Sequence, residues 1–122
     1  APAGAQLLSV GHQGRNSGFS TWATRAPDGT VRVVLINKDQ RRDRSVTLHL
    51  PAAVTASATV ERMRAPSVAS TAGVTLGGRS YGAQTASGVL AAPRLARVTA
   101  TDGTMKLPVP DDSAALVTIP AG

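Results

Sequence analysis

Between Thr30 and Pro51 the chain reads TVRVVLINKDQRRDRSVTLHLP, and its apolar positions follow two different rules. From Ser45 to Leu50 they alternate, with Val46, Leu48 and Leu50 on one side and Thr47 and His49 on the other, as in a strand with one wet face. From Val33 to Ile36 four apolar residues follow one another, so a strand here is apolar on both faces and asks for cover on both. One small domain has one core. One face of residues 31–37 is therefore expected to pack inward, and the other, with Val34 and Ile36 as its candidate contact residues, to meet a second body; Val33 and Leu35 are the alternative pair.

Turn signals recur at short intervals along the rest of the chain, and the runs between them are rich in Val, Thr and Leu. That pattern predicts an all-β protein, an antiparallel β-sandwich of about eight strands, with no convincing helical period anywhere. The strands are expected near residues 6–10, 19–25, 30–37, 45–50, 58–64, 95–100, 105–109 and 114–119. The clearest hairpin is STWATRAPDGTVRVVLIN, where Pro27, Asp28 and Gly29 supply a fixed φ, an Asx acceptor and tolerance of positive φ. GHQGRNSG, residues 11–18, reads as an exposed loop, and QRRDR, residues 40–44, as a second. Residues 65–93 are dominated by Ser, Thr, Gly and Ala and predict a loop-rich excursion across one end, with weak strand hints at GVTLGG and RSYGA. Pro108 suits an edge strand better than a central one.

At 122 residues the chain is expected to form a single domain over 1–122, enough for one hydrophobic core. It contains no apolar run of the ~20 residues that a membrane helix needs, so no membrane partner is expected. There is no cysteine, which removes disulfides, thiolate metal sites and thiol nucleophiles but leaves the compartment open. The expected location is secreted or extracellular. The chain begins with Ala1 and shows no signal-peptide pattern, and it is expected to be a fragment or accessory domain of something longer.

The net charge of +6 favours an acidic partner, but a nucleic-acid surface would interleave its basic residues with exposed aromatics or carry them on a groove-fitting element, and neither pattern is visible. No nucleic-acid partner is expected. Arg41, Arg42 and Arg44 cluster around Asp43 and are candidate contacts to a carbohydrate or a neighbouring domain. Only Phe19, Trp22 and Tyr81 are aromatic. Trp22 and Tyr81 are candidates for a sugar-stacking or interface role, since an aromatic face packs on a pyranose ring.

The sequence offers little catalytic chemistry. Glycoside hydrolysis needs two carboxyl groups a fixed distance apart, yet Glu61 is the sole glutamate and the aspartates sit mostly in turns. Glu61 is expected to pair on the surface with Arg62 or a cross-strand arginine. His12 and His49 lack any metal-ligand spacing, no GxSxG elbow occurs, and GVTLGGRSYG is followed by no helix that would make it a phosphate loop. The expectation is no catalytic residue, no metal and no cofactor.

Three stretches carry a resemblance: TWATRAPDGTVRVVLINKD, then ATVERMRAPSVASTAGVTLGGRSYG, then LPVPDDSAALVTIP. In this order they resemble the C-terminal β-domain of family 79 glycoside hydrolases, the β-glucuronidase and heparanase-like group, over residues 6–120. The resemblance implies a β-sandwich packed against a (β/α)8 catalytic barrel, in cis or in trans, with the catalytic glutamates on the barrel. None of those glutamates transfers to this chain. The function it implies is a non-catalytic accessory domain that supports the barrel, and the alternative is an independent carbohydrate-binding module resting on Trp22 or Tyr81. The strand stop at Asn37 is expected to use the amide side chain to bond backbone.

Overall fold

The computed structural model describes residues 1–11, 18–50, 57–80 and 91–122. Among these residues are nine strands: β1 Gln6–Leu8, β2 Phe19–Arg25, β3 Val31–Asn37, β4 Arg44–His49, β5 Ser57–Arg64, β6 Thr75–Leu76, β7 Ala96–Thr99, β8 Thr104–Val109 and β9 Ser113–Ile119. All pairings are antiparallel. The chain is all-β and sandwich-like, as the spacing of turns predicts. The ninth strand is the two-residue β6, which falls on the GVTLGG hint inside the excursion and pairs with the end of β5.

The large sheet runs β1-β2-β3-β9-β5-β6, with β7 on the same flank of β5 as β6, and β4 and β8 form a separate two-stranded sheet. Pro108 lies on β8, whose only ladder is to β4, so its missing N–H falls on an edge. The hairpin β2–β3 forms in the register that the PDG turn dictates, from Arg25 opposite Val31 to Phe19 opposite Asn37. Gly29 takes a φ of +83°, and the Thr30 N–H donates to Asp28 Oδ1 at 2.9 Å. That bond, chiefly from the Thr30 backbone, holds the exposed Asp28 carboxyl below its ordinary value.

The core lies between the two sheets. Ala23, Val33, Leu35, Val60, Val117 and Ile119 of the large sheet are buried, as are Met105, Leu107 and Val109 of β8. Burying one such Leu or Val contributes roughly 1.5–3 kcal/mol, so this layer supplies most of the drive to fold. Leu35 and Val33 thus point inward, which puts Arg32, Val34 and Ile36 on the opposite face. Val46, Leu48 and Leu50 pack on the core from β4 and its end, while Thr47 and His49 are exposed, in agreement with the alternation.

Asn37 ends β3 inside this layer, only 2% exposed. Its Nδ2 donates to Arg42 O at 2.8 Å and to Val109 O and Pro110 O at 3.1 Å, while Oδ1 accepts from the Asp39 N–H at 3.1 Å. One side chain therefore joins the strand end, the loop to β4 and the β8–β9 turn, as the strand stop requires.

Candidate functional site

The outward residues of the large sheet form cross-strand rows. Trp22 stands opposite Val34, Val34 opposite Leu116, and Leu116 opposite Glu61. The next row is Ser20, Ile36, Ala114, Met63 and Leu76. On the other side of the Trp22 row lie Leu7, Thr24, Arg32, Thr118 and Thr59. The face is apolar at its centre, and the small sheet covers only the opposite side. Trp22 is 57% exposed, Met63 48% and Leu7 69%, whereas Val34, Ile36 and Leu116 are half-buried by their neighbours. Arg32 extends on the same face with its Nη1 buried and lacking a hydrogen-bond partner.

One flank of this face is closed by the excursion. Arg79 Nη2 donates to Glu61 Oε1 at 2.8 Å, Nε to Leu76 O at 3.1 Å and Nη1 to Ala91 O at 3.0 Å. Glu61 is thus paired, but with an arginine from the β6 hairpin and not with Arg62 or a residue across the strand. Arg62 lies on the other side of β5 and donates to Pro108 O at 2.6 Å; partial burial, then the nearby Arg64 charge, lowers its guanidinium below the ordinary value. Gly77 makes the closure possible. It has a φ of +57°, and a Cβ there would lie 2.8 Å from Pro93 Cβ and 2.9 Å from Glu61 Oε1. Its N–H donates to Arg62 O and its carbonyl accepts from Arg94 N–H, both at 2.8 Å. The glycine pair in GVTLGG, which the sequence marks only as a weak strand hint, is a packing signal.

The basic loop lies elsewhere. It follows Asn37 and crosses to the small sheet, so Arg41, Arg42 and Arg44 gather at the strand-end edge of the sandwich and not in the Trp22 row. Arg41 and Arg42 are exposed. Arg44 Nη2 is bound to Asp39 Oδ2 at 3.1 Å, Asp39 Oδ1 accepts from the Arg41 N–H at 3.1 Å, and Asp43 Oδ1 accepts from the Asp111 N–H at 3.0 Å. The acids of QRRDR and its flanks organise the loop, which begins where β3 ends, three residues beyond Val34, the partner of Trp22. Tyr81 and His12 lie outside the described residues.

Every acidic side chain of the chain is placed. Glu61 is bound to Arg79, Asp28 sits in the β2–β3 turn, Asp39 and Asp43 in the loop before β4, Asp102 in the turn before β8, and Asp111 and Asp112 in the β8–β9 turn. Among the described residues no three His, Cys, Asp or Glu side chains group to hold a metal ion. A cleft of about 330 Å³ opens where the Ile36 row meets the excursion, and a second of about 300 Å³ runs between Phe19 of β2 and Val46 and Leu48 of β4. Among the described residues no helix is long and apolar enough to cross a membrane.

The family model of the glycosyl hydrolase family 79 C-terminal beta domain matches residues 21–116, from the Trp22 strand to the Leu116 strand. The chain belongs to this family. No curated protein matches this family 79 β-domain in sequence. Among solved structures it is similar to a 4-O-α-L-rhamnosyl-β-D-glucuronidase from Fusarium oxysporum 12S, with a TM-score of 0.66 and 20% identity over 93% of this chain and 25% of that one. A GH30 endoxylanase from Clostridium papyrosolvens C71 gives 0.63 at 12% identity, over 98% of this chain and 24% of the other. A GH51 arabinofuranosidase from Xanthomonas axonopodis pv. citri gives 0.59 at 17%, over 93% and 21%. The family 79 β-domain spans a quarter or less of the length of each of these structures, and at these identities the likeness is one of fold.

Proposed function

We propose that this chain is the non-catalytic β-domain of a family 79 glycoside hydrolase and that it works by docking the outer face of its large sheet on a (β/α)8 catalytic barrel, joined in cis or supplied in trans. The observation that carries the reading is the Trp22, Val34 and Leu116 row, an apolar strip on a face that no second sheet covers among the described residues. Contiguous apolar surface of this kind marks an interaction site. The acids support the non-catalytic part: Glu61 and Asp39 are held in ion pairs, and Asp28, Asp39 and Asp43 accept from backbone N–H groups, whereas glycoside hydrolysis needs two free carboxyl groups. In this role the domain stabilises the barrel and shapes one rim of its cleft, in a secreted or extracellular enzyme.

The exposure of Trp22 also bears on the carbohydrate-module reading, which needs an open indole beside groups that bind hydroxyls. The row offers Val34 and Leu116 instead, and the only charged residue on it, Glu61, is held by Arg79. A protein surface fits that environment better than a sugar. Trp22 fluorescence separates the two: titrate the chain with the (β/α)8 barrel of a family 79 hydrolase freed of its own β-domain, and separately with glucuronic-acid and xylose oligosaccharides. The expected result is a saturable blue shift with the barrel, a raised thermal midpoint of the barrel, and unchanged emission with the sugars. A saturable sugar response with none to the barrel would overturn the docking reading, and turnover of aryl glucuronides by repurified chain alone would overturn the non-catalytic one.

A further inference from the structure

Where the Ile36 row runs out, the excursion folds over and leaves the cleft of about 330 Å³. Ile36, Met63 and Ala114 of the outer face form one wall, and Val68 and Val74 of the excursion another. Met63 is 48% and Val68 65% exposed, so the apolar walls stand open. Asp112 lines the same cleft, at a φ of +44°, and its Oδ1 is buried with no hydrogen-bond partner. A carboxylate oxygen in that state is costly until a donor reaches it. The Asp112 N–H is pinned to Asp39 O at 3.2 Å, which fixes the main chain and leaves the side-chain torsions as the route by which Oδ1 would meet a donor placed in the cleft.

Charge selects the donor. Lys38 and Arg64, both exposed, line the cleft beside that one carboxylate. A further cation meets Lys38 and Arg64, and an anion, though drawn by them, brings no donor to Asp112, whereas a neutral apolar body with a single N–H or O–H suits both the apolar walls and the unpartnered oxygen. Tryptophan and tyrosine have that chemistry, and they are the side chains that anchor interfaces in well-packed pockets. The volume is that of a small-ligand pocket, ample for one aromatic side chain. We propose that the cleft is a socket for a tryptophan or tyrosine side chain of the catalytic barrel, its ring against Ile36, Met63 and Val68 and its N–H or O–H donated to Asp112. The assignment rests on the docking reading, since the cleft continues the outer face through Ile36, Ala114 and Met63.

The test uses the whole chain with methyl-13C labels, titrated with indole and with 1-methylindole, which has nearly the same shape and no N–H. Indole should shift the Ile36, Met63, Val68 and Val74 methyl signals saturably and bind about five-fold tighter than 1-methylindole, the worth of one net hydrogen bond. Asp112→Gly, whose backbone suits the positive φ, should remove the preference and keep the shifts. Equal affinity for the two probes, a preference that survives Asp112→Gly, or shifts confined to other methyls would overturn the proposal. A Val68→Asp chain should also bind the barrel at least about ten-fold more weakly than the parent, as for the loss of one interface anchor. A chain that docks on the barrel through Trp22 but shows no cleft shifts with indole loses the socket and keeps the docking face. One that binds indole in the cleft and no barrel loses the docking face, and with it the assignment of the socket to a barrel side chain.

Discussion

Asn37 shows how much a single buried amide can organise. Three backbone carbonyls from two segments, the loop to β4 and the β8–β9 turn, converge on its Nδ2, and the loop amide of Asp39 on its Oδ1. Its use as a strand stop was legible because a polar residue ended an apolar run; the identity of its partners was not, since Val109 and Pro110 are 72 and 73 residues away in sequence. Asn37→Ala should cost about 2–4 kcal/mol, because buried backbone acceptors lose their donor. Asn37→Asp should cost more, for it turns the donor into a charge facing the same carbonyls. Urea unfolding of the two variants measures both, and Asn37→Asp proving the milder would show that the amide donor is not what holds the junction. Glu61 teaches the converse. A surface pair was readable from its strand position, but the partner came from the hairpin around Gly77 because a glycine lets Pro93 and Glu61 close to within Cβ distance.

Among the elements, β3 joins the core to the outer face. Its ladder partners are β2 and β9, so it is central in the large sheet, and its two faces have different fates. Leu35 is fully buried, while Ile36 is half-buried on the outer face. Leu35→Lys should unfold the domain, since an unpaired buried charge costs several kcal/mol against a total of ~5–15. Ile36→Lys should leave the circular dichroism spectrum and the cooperative transition in place and weaken barrel binding. Both variants unfolding would show that β3 is covered on both sides within the chain, and the docking face would lose its main support. Period-two logic told that β3 was apolar on both faces but not which face was inner. That choice follows from where β8 packs, because Met105, Leu107 and Val109 lie against Val33 and Leu35 and not against Val34 and Ile36.

At the scale of the molecule, a large sheet set against a two-stranded one leaves one broad face without a covering sheet among the described residues. An isolated chain with Trp22, Leu7 and Met63 so exposed should associate with itself at high concentration. Analytical ultracentrifugation should show a mass that rises with concentration, and Trp22→Ser should bring it back to a monomer; a parent chain that stays monomeric at millimolar concentration would mean that the face is too small or too broken to drive association. The sequence by itself determined the all-β class, the β2–β3 hairpin, the alternation of β4 and the edge position of Pro108, all of which depend on neighbours within a few residues or on a turn of fixed geometry. It also carried the order of motifs by which the family is told. Only the tertiary structure decided which side of β3 faces water, that Arg79 and not Arg62 meets Glu61, that the basic loop lies away from Trp22, and that Asp112 opens on an apolar cleft. Each of these depends on which strands become neighbours across long stretches of chain, and the pairing of β9 between β3 and β5 has no local signature because its strands are held together by packing and ladder bonds made only after the chain has folded.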